Sequence, residues 1–188
     1  MMESMQFGAV IEFIKSDLYR YTGKVSKKLL LKNYFFNRSF CYTFWFRLCK
    51  SKNKTISLIA KVMHFRLSRK YGIQIPITVD IGYGLYIGHG MALVLNPTVK
   101  IGNNCNLSQF TTIGSNHGKA ATIRDNVYIG PNVCIVENVD IGNSVTIGAG
   151  SVITKNIVDN CTVAGVPAKV ISFKEPGRYV KRRWPACF

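Results

Sequence analysis

Two of the three histidines in this 188-residue chain are placed where acid–base chemistry could occur. His89 lies between Gly88 and Gly90, two residues after an aliphatic residue of a regular repeat. His117 lies in a polar stretch, residues 115–121, that interrupts the same repeat. An imidazole exchanges a proton near neutral pH and can therefore act as a general base. His89 is the stronger candidate, because flanking glycines let a ligand or another chain come close.

The element that must position these histidines is a repeat of six residues in the second half of the chain. Aliphatic side chains recur at Ile75, Ile81, Ile87 and Leu93, at Ile101, Leu107 and Ile113, and at Ile123, Ile129, Ile135, Ile141, Ile147 and Ile153. Amphipathic helices repeat about every 3.6 residues and strands about every two, so neither explains this period. The period is typical of a parallel β-helix, in which one aliphatic side chain per repeat enters a narrow core.

The repeat is interrupted twice. Two residues are inserted between Leu93 and Ile101, and four between Ile113 and Ile123. With three repeats per coil, the predicted rows are Ile75, Leu93, Ile113, Ile135 and Ile153; Ile81, Ile101, Ile123 and Ile141; and Ile87, Leu107, Ile129 and Ile147. The second insertion, residues 115–121, must therefore leave the coil as a loop, and loops on rigid scaffolds commonly carry function.

The residues ahead of the repeat have helical spacing. We predict helices over 5–21, 26–50 and 55–71, with Gly23 and Gly72 as stop signals. The aromatic residues of the middle helix have two explanations. They cover the open end of the solenoid, or they form an interfacial surface beside basic residues that face anionic headgroups.

The predicted fold class is mainly β, a parallel β-helix solenoid preceded by a small α-helical N-terminal region. The predicted organisation has three parts. They are an α-helical region over residues 1–73, a β-helix domain over 74–171 and a basic C-terminal tail over 172–188.

The net charge of +16 is unevenly distributed. Residues 1–71 carry a net charge of +12 and residues 155–188 carry +5, whereas residues 72–154 carry −1. Such flanking charge can bind nucleic acid, anionic lipid or a phosphorylated ligand, or it can form a solvated face. Because no nucleic-acid reading motif is recognisable, we expect no nucleic acid among the partners.

The sequence also bounds the compartment. No apolar run is long enough to span a bilayer, and the start lacks the pattern of a secretory signal peptide. We therefore expect a cytoplasmic protein that can contact the inner face of an anionic membrane peripherally. The six cysteines form no CxxC pair, and we expect no metal site.

The repeats, the segment Ile87-Gly88-His89-Gly90 and the closing segment Ala164-Gly165-Val166-Pro167-Ala168-Lys169-Val170 together resemble hexapeptide-repeat acyltransferases. Within them the chain looks most like the serine acetyltransferase group, including its relatives that acetylate surface polysaccharides. The resemblance covers residues 74–171. It implies a left-handed β-helix, a homotrimer, and acetyl-CoA as acyl donor in the groove between neighbouring subunits.

The resemblance also implies roles for individual residues. His89 would be the general base, Gln74 would stand at the position that orients it, and Asp17 and His117 would contact the acceptor. Asp17 could instead be an ordinary helix carboxylate, and His117 a solvated loop residue. Coenzyme A would lie along Gly114, Ser115, Gly130, Pro131, Gly148 and Ala149, with Lys169 facing its phosphates.

This chain departs from the serine acetyltransferase pattern at three places. The pattern has Asp where Gly88 and Gln74 stand, and an Arg-His pair where Ala120-Ala121 stands. A glutamine oxygen can accept a hydrogen bond from imidazole, but it stabilises an imidazolium less than a carboxylate does. The α-carboxylate of serine normally needs a fixed cation, which Lys119 or Arg124 would have to supply.

These observations predict an acetyl-CoA-dependent O-acetyltransferase that uses no metal. The expected acceptor is a sugar hydroxyl of a surface polysaccharide or its precursor, because the serine site is incomplete. The alternative is a serine O-acetyltransferase of cysteine biosynthesis. A non-enzymatic solenoid that kept the fold is a further alternative.

Overall fold

The computed structural model describes residues 5–185, in which four helices precede a β-solenoid. The helices are α1 (Phe7–Thr22), α2 (Lys27–Phe36), α3 (Arg38–Leu48) and α4 (Lys54–Tyr71). The outer ends of the first and third predicted regions, residues 1–4 and 186–188, lie outside the described residues. Gly23 and Gly72 end α1 and α4 in the left-handed conformation, where a glycine has no steric penalty.

The prediction of one helix over 26–50 is wrong. The chain breaks at Asn37, whose backbone is extended at φ −120° and ψ 99°. The Asn37 side chain accepts hydrogen bonds from the N–H groups of Ser39 and Phe40, which caps α3. An asparagine side chain that competes for backbone donors favours a helix start over a helix interior, so the segment divides into α2 and α3.

Short strands stack into three sheets within residues 5–185. The first sheet contains β1 (Asp80–Ile81), β4 (Lys100–Ile101), β7 (Thr122–Ile123) and β10 (Asp140–Ile141). The second contains β2 (Tyr86–Ile87), β5 (Asn106–Leu107), β8 (Tyr128–Ile129), β11 (Thr146–Ile147), β13 (Thr162–Gly165) and β14 (Ala168–Ser172). The third contains β3 (Val94–Leu95), β6 (Thr112–Gly114), β9 (Cys134–Val136) and β12 (Val152–Ile153). All pairs except β13–β14 are parallel, which confirms the parallel β-helix.

Two of the three predicted rows are confirmed, and the third is corrected. Ile113 pairs with Leu95 rather than with Leu93, and Val94 bridges to Gln74. The two inserted residues therefore lie between Ile87 and Leu95, in the turn that contains His89. Leu93 is still fully buried, and its carbonyl accepts the Gln74 N–H at 2.6 Å.

The core of the solenoid is a column of aliphatic side chains, and all thirteen residues of the predicted grid are at most 4% exposed. Each such burial stabilises the fold by about 1.5–3 kcal/mol. Tyr42 and Phe46 of α3 pack against the same cluster, next to Ile73 and Ile75 of the first coil. The helical front end therefore covers one end of the column.

A buried ion pair attaches the front end to the first coil. Arg47 binds both carboxylate oxygens of Asp17, at 2.9 and 3.0 Å, and also donates to the carbonyls of Ile81 and Gly82. The Leu85 N–H donates to Asp17 at 2.8 Å. Both charged side chains are at most 2% exposed, so every polar atom here depends on its partner.

The C-terminal segment folds back along the solenoid after the β13–β14 hairpin. Asn104 pairs with the backbone of Trp184 through two hydrogen bonds, and the Asn106 side chain donates to Tyr179 O. Arg20 of α1 donates to Lys181 O at 3.1 Å. The tail thereby links the front end to the second sheet.

Candidate active site

His89 lines a cleft of about 600 Å³ between the helical front end and the first coil. The front end contributes Tyr21, Tyr34, Phe35, Phe36, Asn37, Arg38, Ser39, Cys41 and Tyr71, and the coil contributes Tyr86, Ile87, Gly88 and His89. The exposed imidazole is part of the cleft lining, which consists mainly of aromatic side chains with a few polar groups. No carboxylate lines the cleft in the part of the chain that the structure describes.

The backbone at His89 lies in the left-handed region, as it does at ten other non-glycine residues of the described chain. Its φ is +57°, and Gly90 follows at +28°. A Cβ built on Gly90 would stand 2.5 Å from the Ser39 Oγ, so a larger residue cannot occupy this position. The Arg38 guanidinium donates to the His89 carbonyl at 2.9 Å. The start of α3 therefore packs against the widened turn and holds the His89 backbone in place.

The Tyr21 hydroxyl holds the strand that leads to His89. It accepts from the Ile87 N–H at 3.0 Å and donates to the Ile87 carbonyl at 3.2 Å. Burial raises the pKa of Tyr21 well above its ordinary value, so the hydroxyl remains protonated. Tyr21 and Arg38 are site residues that the sequence analysis missed; the position of Tyr21 one helical turn after Asp17 is the signal that could have found it.

The structure does not bring Gln74 to this cleft within one chain. Its side chain is exposed, and its backbone pairs with Leu93 and Leu95 on the third sheet. Gln74 also does not appear among the lining residues of the cleft. An orienting contact from Gln74 to His89 would therefore need a rearrangement or a neighbouring copy.

The prediction of an acceptor contact for Asp17 does not fit its placement. The carboxylate is fully buried, and Arg47 and the Leu85 N–H occupy its oxygens. The helix-carboxylate alternative matches these contacts, because the carboxylate joins α1 and α3 to the coil. We therefore assign Asp17 a structural role.

The predicted loop at residues 115–121 leaves the coil over residues 115–119, whereas Ala120 and Ala121 are buried in the core. Glu137 fixes the start of the loop, because its carboxylate accepts a hydrogen bond from the Ser115 hydroxyl at 2.8 Å. This hydrogen bond lowers the pKa of Glu137. The exposed His117 follows a strand of the third sheet, whereas His89 follows a strand of the second. The two histidines therefore lie on different corners of one chain.

Lys119 and Arg124, the two residues that could supply a cation for the serine carboxylate, differ in whether they are already paired. Arg124 is paired with Asp140 at 2.8 Å, and Lys119 is exposed in the loop. Ala120 and Ala121 are buried in the core cluster, so neither position supplies a cation in this chain. Among the described residues that line the cleft, Arg38 is the one lysine or arginine, and it contacts the His89 backbone.

The predicted coenzyme positions fall on two corners. Gly130 and Gly148 follow strands of the second sheet and stack below Gly88, while Gly114 ends a strand of the third. The corner that carries His89 also carries Gly130, Pro131, Gly148 and Ala149. The next corner carries Gly114 and Ser115. A ligand that contacted all of them would have to reach both corners.

The glycines differ in what the fold requires of them. A Cβ on Gly130 would stand 2.8 Å from the Ile147 carbonyl, whereas a Cβ on Gly114 would have no atom within 4 Å. Stacking of the coils explains Gly130. It does not explain Gly114, which leaves free space on the surface. Lys169 is exposed on β14, opposite Ala164.

Comparisons with known proteins agree with this architecture. Residues 120–155 match the family described as bacterial transferase hexapeptide (six repeats). The serine acetyltransferase of Synechococcus elongatus is 35% identical over 104 residues, which is 53% of this chain and 43% of that protein. The chain spans about half the length of the curated relatives it matches first.

Solved structures show the same likeness. The Neisseria gonorrhoeae serine acetyltransferase, crystallised in complex with serine, superposes with a TM-score of 0.69 at 28% identity, covering 86% of this chain and 69% of that one. The Brucella abortus serine acetyltransferase in complex with coenzyme A gives a TM-score of 0.68 at 25% identity, covering 88% and 68%. The repeat, the fold and these comparisons together make the chain similar to the hexapeptide-repeat transferases, and among them to the serine acetyltransferases.

Proposed function

We propose that this protein transfers an acetyl group from acetyl-CoA to a hydroxyl, with His89 as the general base. The observation that carries the proposal is the His89 turn, in which two extra residues and the contacts of α3 present an imidazole to a cleft. The names of the relatives support acetyl-CoA as the donor.

The proposed reaction is a direct transfer. His89 removes the proton of the acceptor hydroxyl while its oxygen attacks the thioester carbonyl. The tetrahedral intermediate collapses, the carbon–sulfur bond breaks, and the imidazolium returns the proton to the leaving thiolate. The products are an O-acetyl ester and free coenzyme A. Backbone N–H groups of the groove would stabilise the oxyanion.

L-serine is the acceptor that the relatives support best, and one of them was solved with serine bound. Arg38 supports this acceptor, because its guanidinium stands in the cleft beside His89 and could bind an α-carboxylate. This position differs from the loop, where the sequence pattern alone placed the missing cation.

A sugar hydroxyl of a surface polysaccharide or its precursor is the second candidate. The aromatic lining of the cleft favours it, since Tyr21, Tyr34, Phe35, Tyr71 and Tyr86 offer faces on which a sugar ring could stack. The absence of a lining carboxylate, which the ammonium group of serine would need, points the same way among the described residues.

We also propose a homotrimer, in which the coenzyme groove lies between two copies. The support is that Gly114 and Ser115 lie on a different corner from His89, and two copies side by side would bring such corners to one groove. The exposed Lys169 would then face the phosphates of the coenzyme as a point charge.

The test is coenzyme A release from acetyl-CoA by the purified protein, with L-serine or with UDP-N-acetylglucosamine. Serine-dependent release supports serine, and release only with the sugar nucleotide supports the second candidate. A protein that neither binds coenzyme A nor releases it with either acceptor would contradict the acetyltransferase proposal.

Gly88→Asp sharpens the choice of acceptor. A Cβ at Gly88 meets no atom closer than 3.8 Å, so the carboxylate can be accommodated. Because a charged hydrogen bond to the serine ammonium would form, kcat/KM for L-serine should rise roughly tenfold. An unchanged value for serine, with a loss for the sugar nucleotide, would argue for the sugar acceptor.

A further inference from the structure

The helical front end is unusual in having no acidic residue over a long stretch. Between Asp17 and Asp80 there are fourteen lysines and arginines and not one Asp or Glu. Arg20, Arg47 and Lys50 are buried, and the other eleven are exposed. None of these eleven takes part in an ion pair within residues 5–185. This positive charge is therefore not compensated inside the described chain.

Helix α4 exposes the side chains that a surface helix normally buries. Leu58, Ile59, Val62 and Phe65 are 52–65% exposed. The fully buried residues of α4 are Ser57, Ala60 and His64, which are small or polar, while Ile56, Leu67 and Tyr71 pack half-buried against the core. An amphipathic helix usually turns its apolar stripe toward the core. Here a second set of apolar residues faces outward.

Basic side chains surround this apolar face. The exposed lysines and arginines of α4 are Lys54, Lys61, Arg66, Arg69 and Lys70. The Arg69 guanidinium lies over the Phe65 ring at 5.2 Å from its centroid. Apolar and cationic groups are therefore interleaved on one exposed face.

Helix α2 has the same composition and even less burial. None of its residues is fully buried, and Leu31, Phe35 and Phe36 are 56%, 71% and 86% exposed. Lys27, Lys28 and Lys32 lie beside them. A fully exposed Phe leaves unrealised the roughly 1.5–3 kcal/mol that burial of such a side chain provides. Two separate helices of one region thus present apolar and basic residues together.

We propose that the exposed faces of α2 and α4 form a peripheral binding surface for an anionic bilayer. The basic residues attract phosphate headgroups, and the leucine, isoleucine, valine and phenylalanine side chains enter the boundary of the acyl region. In residues 5–185 no helix has the length and apolar character to cross a bilayer, so the contact is on the surface. We call these faces the α2–α4 surface.

The apolar residues distinguish this partner from the others. A nucleic acid would use the cations but has no use for exposed Phe36 or Leu58. A second copy of the same surface would bring the eight exposed cations of α2 and α4 against their equals, and this repulsion opposes association. An anionic bilayer satisfies both the charge and the apolar groups.

The α2–α4 surface is continuous with the cleft at His89. Phe35 and Phe36 at the end of α2 and Tyr71 at the end of α4 line that cleft. A bilayer bound there would place the cleft beside the headgroups, where a lipid-linked hydroxyl would be presented. This consequence rests on the proposed acetyl transfer, whereas the binding itself does not.

Sedimentation with vesicles tests the proposal on the full chain. We expect binding to vesicles of phosphatidylglycerol and phosphatidylcholine, and at least tenfold weaker binding to phosphatidylcholine alone. Leu58→Gln with Phe65→Gln should weaken binding about tenfold or more, and Lys61→Gln with Arg66→Gln should do so in a salt-dependent way.

Matched controls come from exposed residues of the solenoid end. Val158→Gln with Phe173→Gln removes equally exposed apolar groups, and Lys155→Gln with Lys174→Gln removes equally exposed cations. Neither control should change vesicle binding. Thermal unfolding of every variant checks that the fold is kept.

Three results would overturn the proposal. One is equal binding to charged and neutral vesicles, or none to either. Another is binding to a duplex oligonucleotide that the charge variant loses and the apolar variant keeps, with no vesicle binding. The third is a self-association that Leu58→Gln with Phe65→Gln dissolves, again without vesicle binding. His89→Ala should keep vesicle binding, so a failure of acetyl transfer is distinguishable from a failure of this proposal.

Discussion

The solenoid and the helical front end treat apolar residues in opposite ways. In the solenoid the repeated aliphatic side chains all point inward, and residues 72–154 carry almost no net charge. In the front end Phe36 and Leu58 point outward among uncompensated cations. The solenoid therefore buries its repeated apolar side chains within one chain. The front end leaves several of its apolar side chains exposed beside cations, where a binding partner could cover them.

The two regions also divide the work at the candidate active site. The solenoid supplies similar corners along each edge, and the two inserted residues widen the corner that carries His89. The front end makes one corner different, because Arg38, Ser39 and Tyr21 contact the turn that carries His89. The candidate site is therefore located where the helical front end packs on the regular solenoid.

The largest effect should come from the two histidines. His89→Ala should lower kcat about 10²–10⁴-fold, because the proton acceptor is lost. The side chain is exposed, so thermal unfolding should be unchanged. His117→Ala is the control on the other corner, and it should change KM for the acceptor more than kcat. Equal losses of kcat in both variants would contradict the assignment of the base to His89.

The next effect compares two ion pairs, one in each region. Arg47→Met leaves the buried Asp17 carboxylate without its partner and should lower the free energy of unfolding by about 3–5 kcal/mol. Arg124→Met removes a pair whose side chains are half exposed and screened by water, so it should lower stability far less. Urea denaturation measures both. Similar losses would mean that the front end is not anchored through Asp17.

A third comparison concerns two corners of the solenoid. Gly130→Ala forces a Cβ against the Ile147 carbonyl and should cost about 1–3 kcal/mol of unfolding free energy. Gly114→Ala enters open space and should leave stability within about 0.5 kcal/mol. If Gly114 lies beside the coenzyme, its variant should raise KM for acetyl-CoA. An unchanged KM would remove Gly114 from the proposed groove.

The smallest effect is a pH dependence that originates in the front end. Burial lowers the pKa of His64 to about 4, and its Nε2 stands 2.8 Å from the Tyr42 hydroxyl. Because the unfolded histidine takes up its proton at higher pH, stability is complete above about pH 6.5 and falls toward pH 4. Between pH 7 and pH 5 the loss is about 2 kcal/mol.

His64→Gln should flatten this dependence, because the amide can replace the hydrogen bond to Tyr42 without titrating. Urea denaturation at pH 7 and pH 5 measures the difference. The exposed His117→Gln serves as the control and should leave it unchanged. A steep dependence that persists in His64→Gln would assign the effect to other groups.

The period of six by itself determined the solenoid, its loop at residues 115–121 and two of its three rows. The physical reason is that each repeat contacts only its neighbours, so the rule can be read one repeat at a time. The glycines of the tight corners and the histidine between two of them are equally local features. These parts of the molecule could be predicted because no distant residue changes them.

Other features depended on residues far apart in the sequence, and only the tertiary structure decided them. Leu93 lies six residues after Ile87 and Leu95 lies six before Ile101, so both fit the repeat, and only the hydrogen bonds to Gln74 and Ile113 show that the insertion holds His89. Asp17 is structural because Arg47, thirty residues later, folds onto it in a dry interior. Local spacing carries no record of such pairings, because the free energy that selects them comes from burial and from partners that meet only in the folded chain.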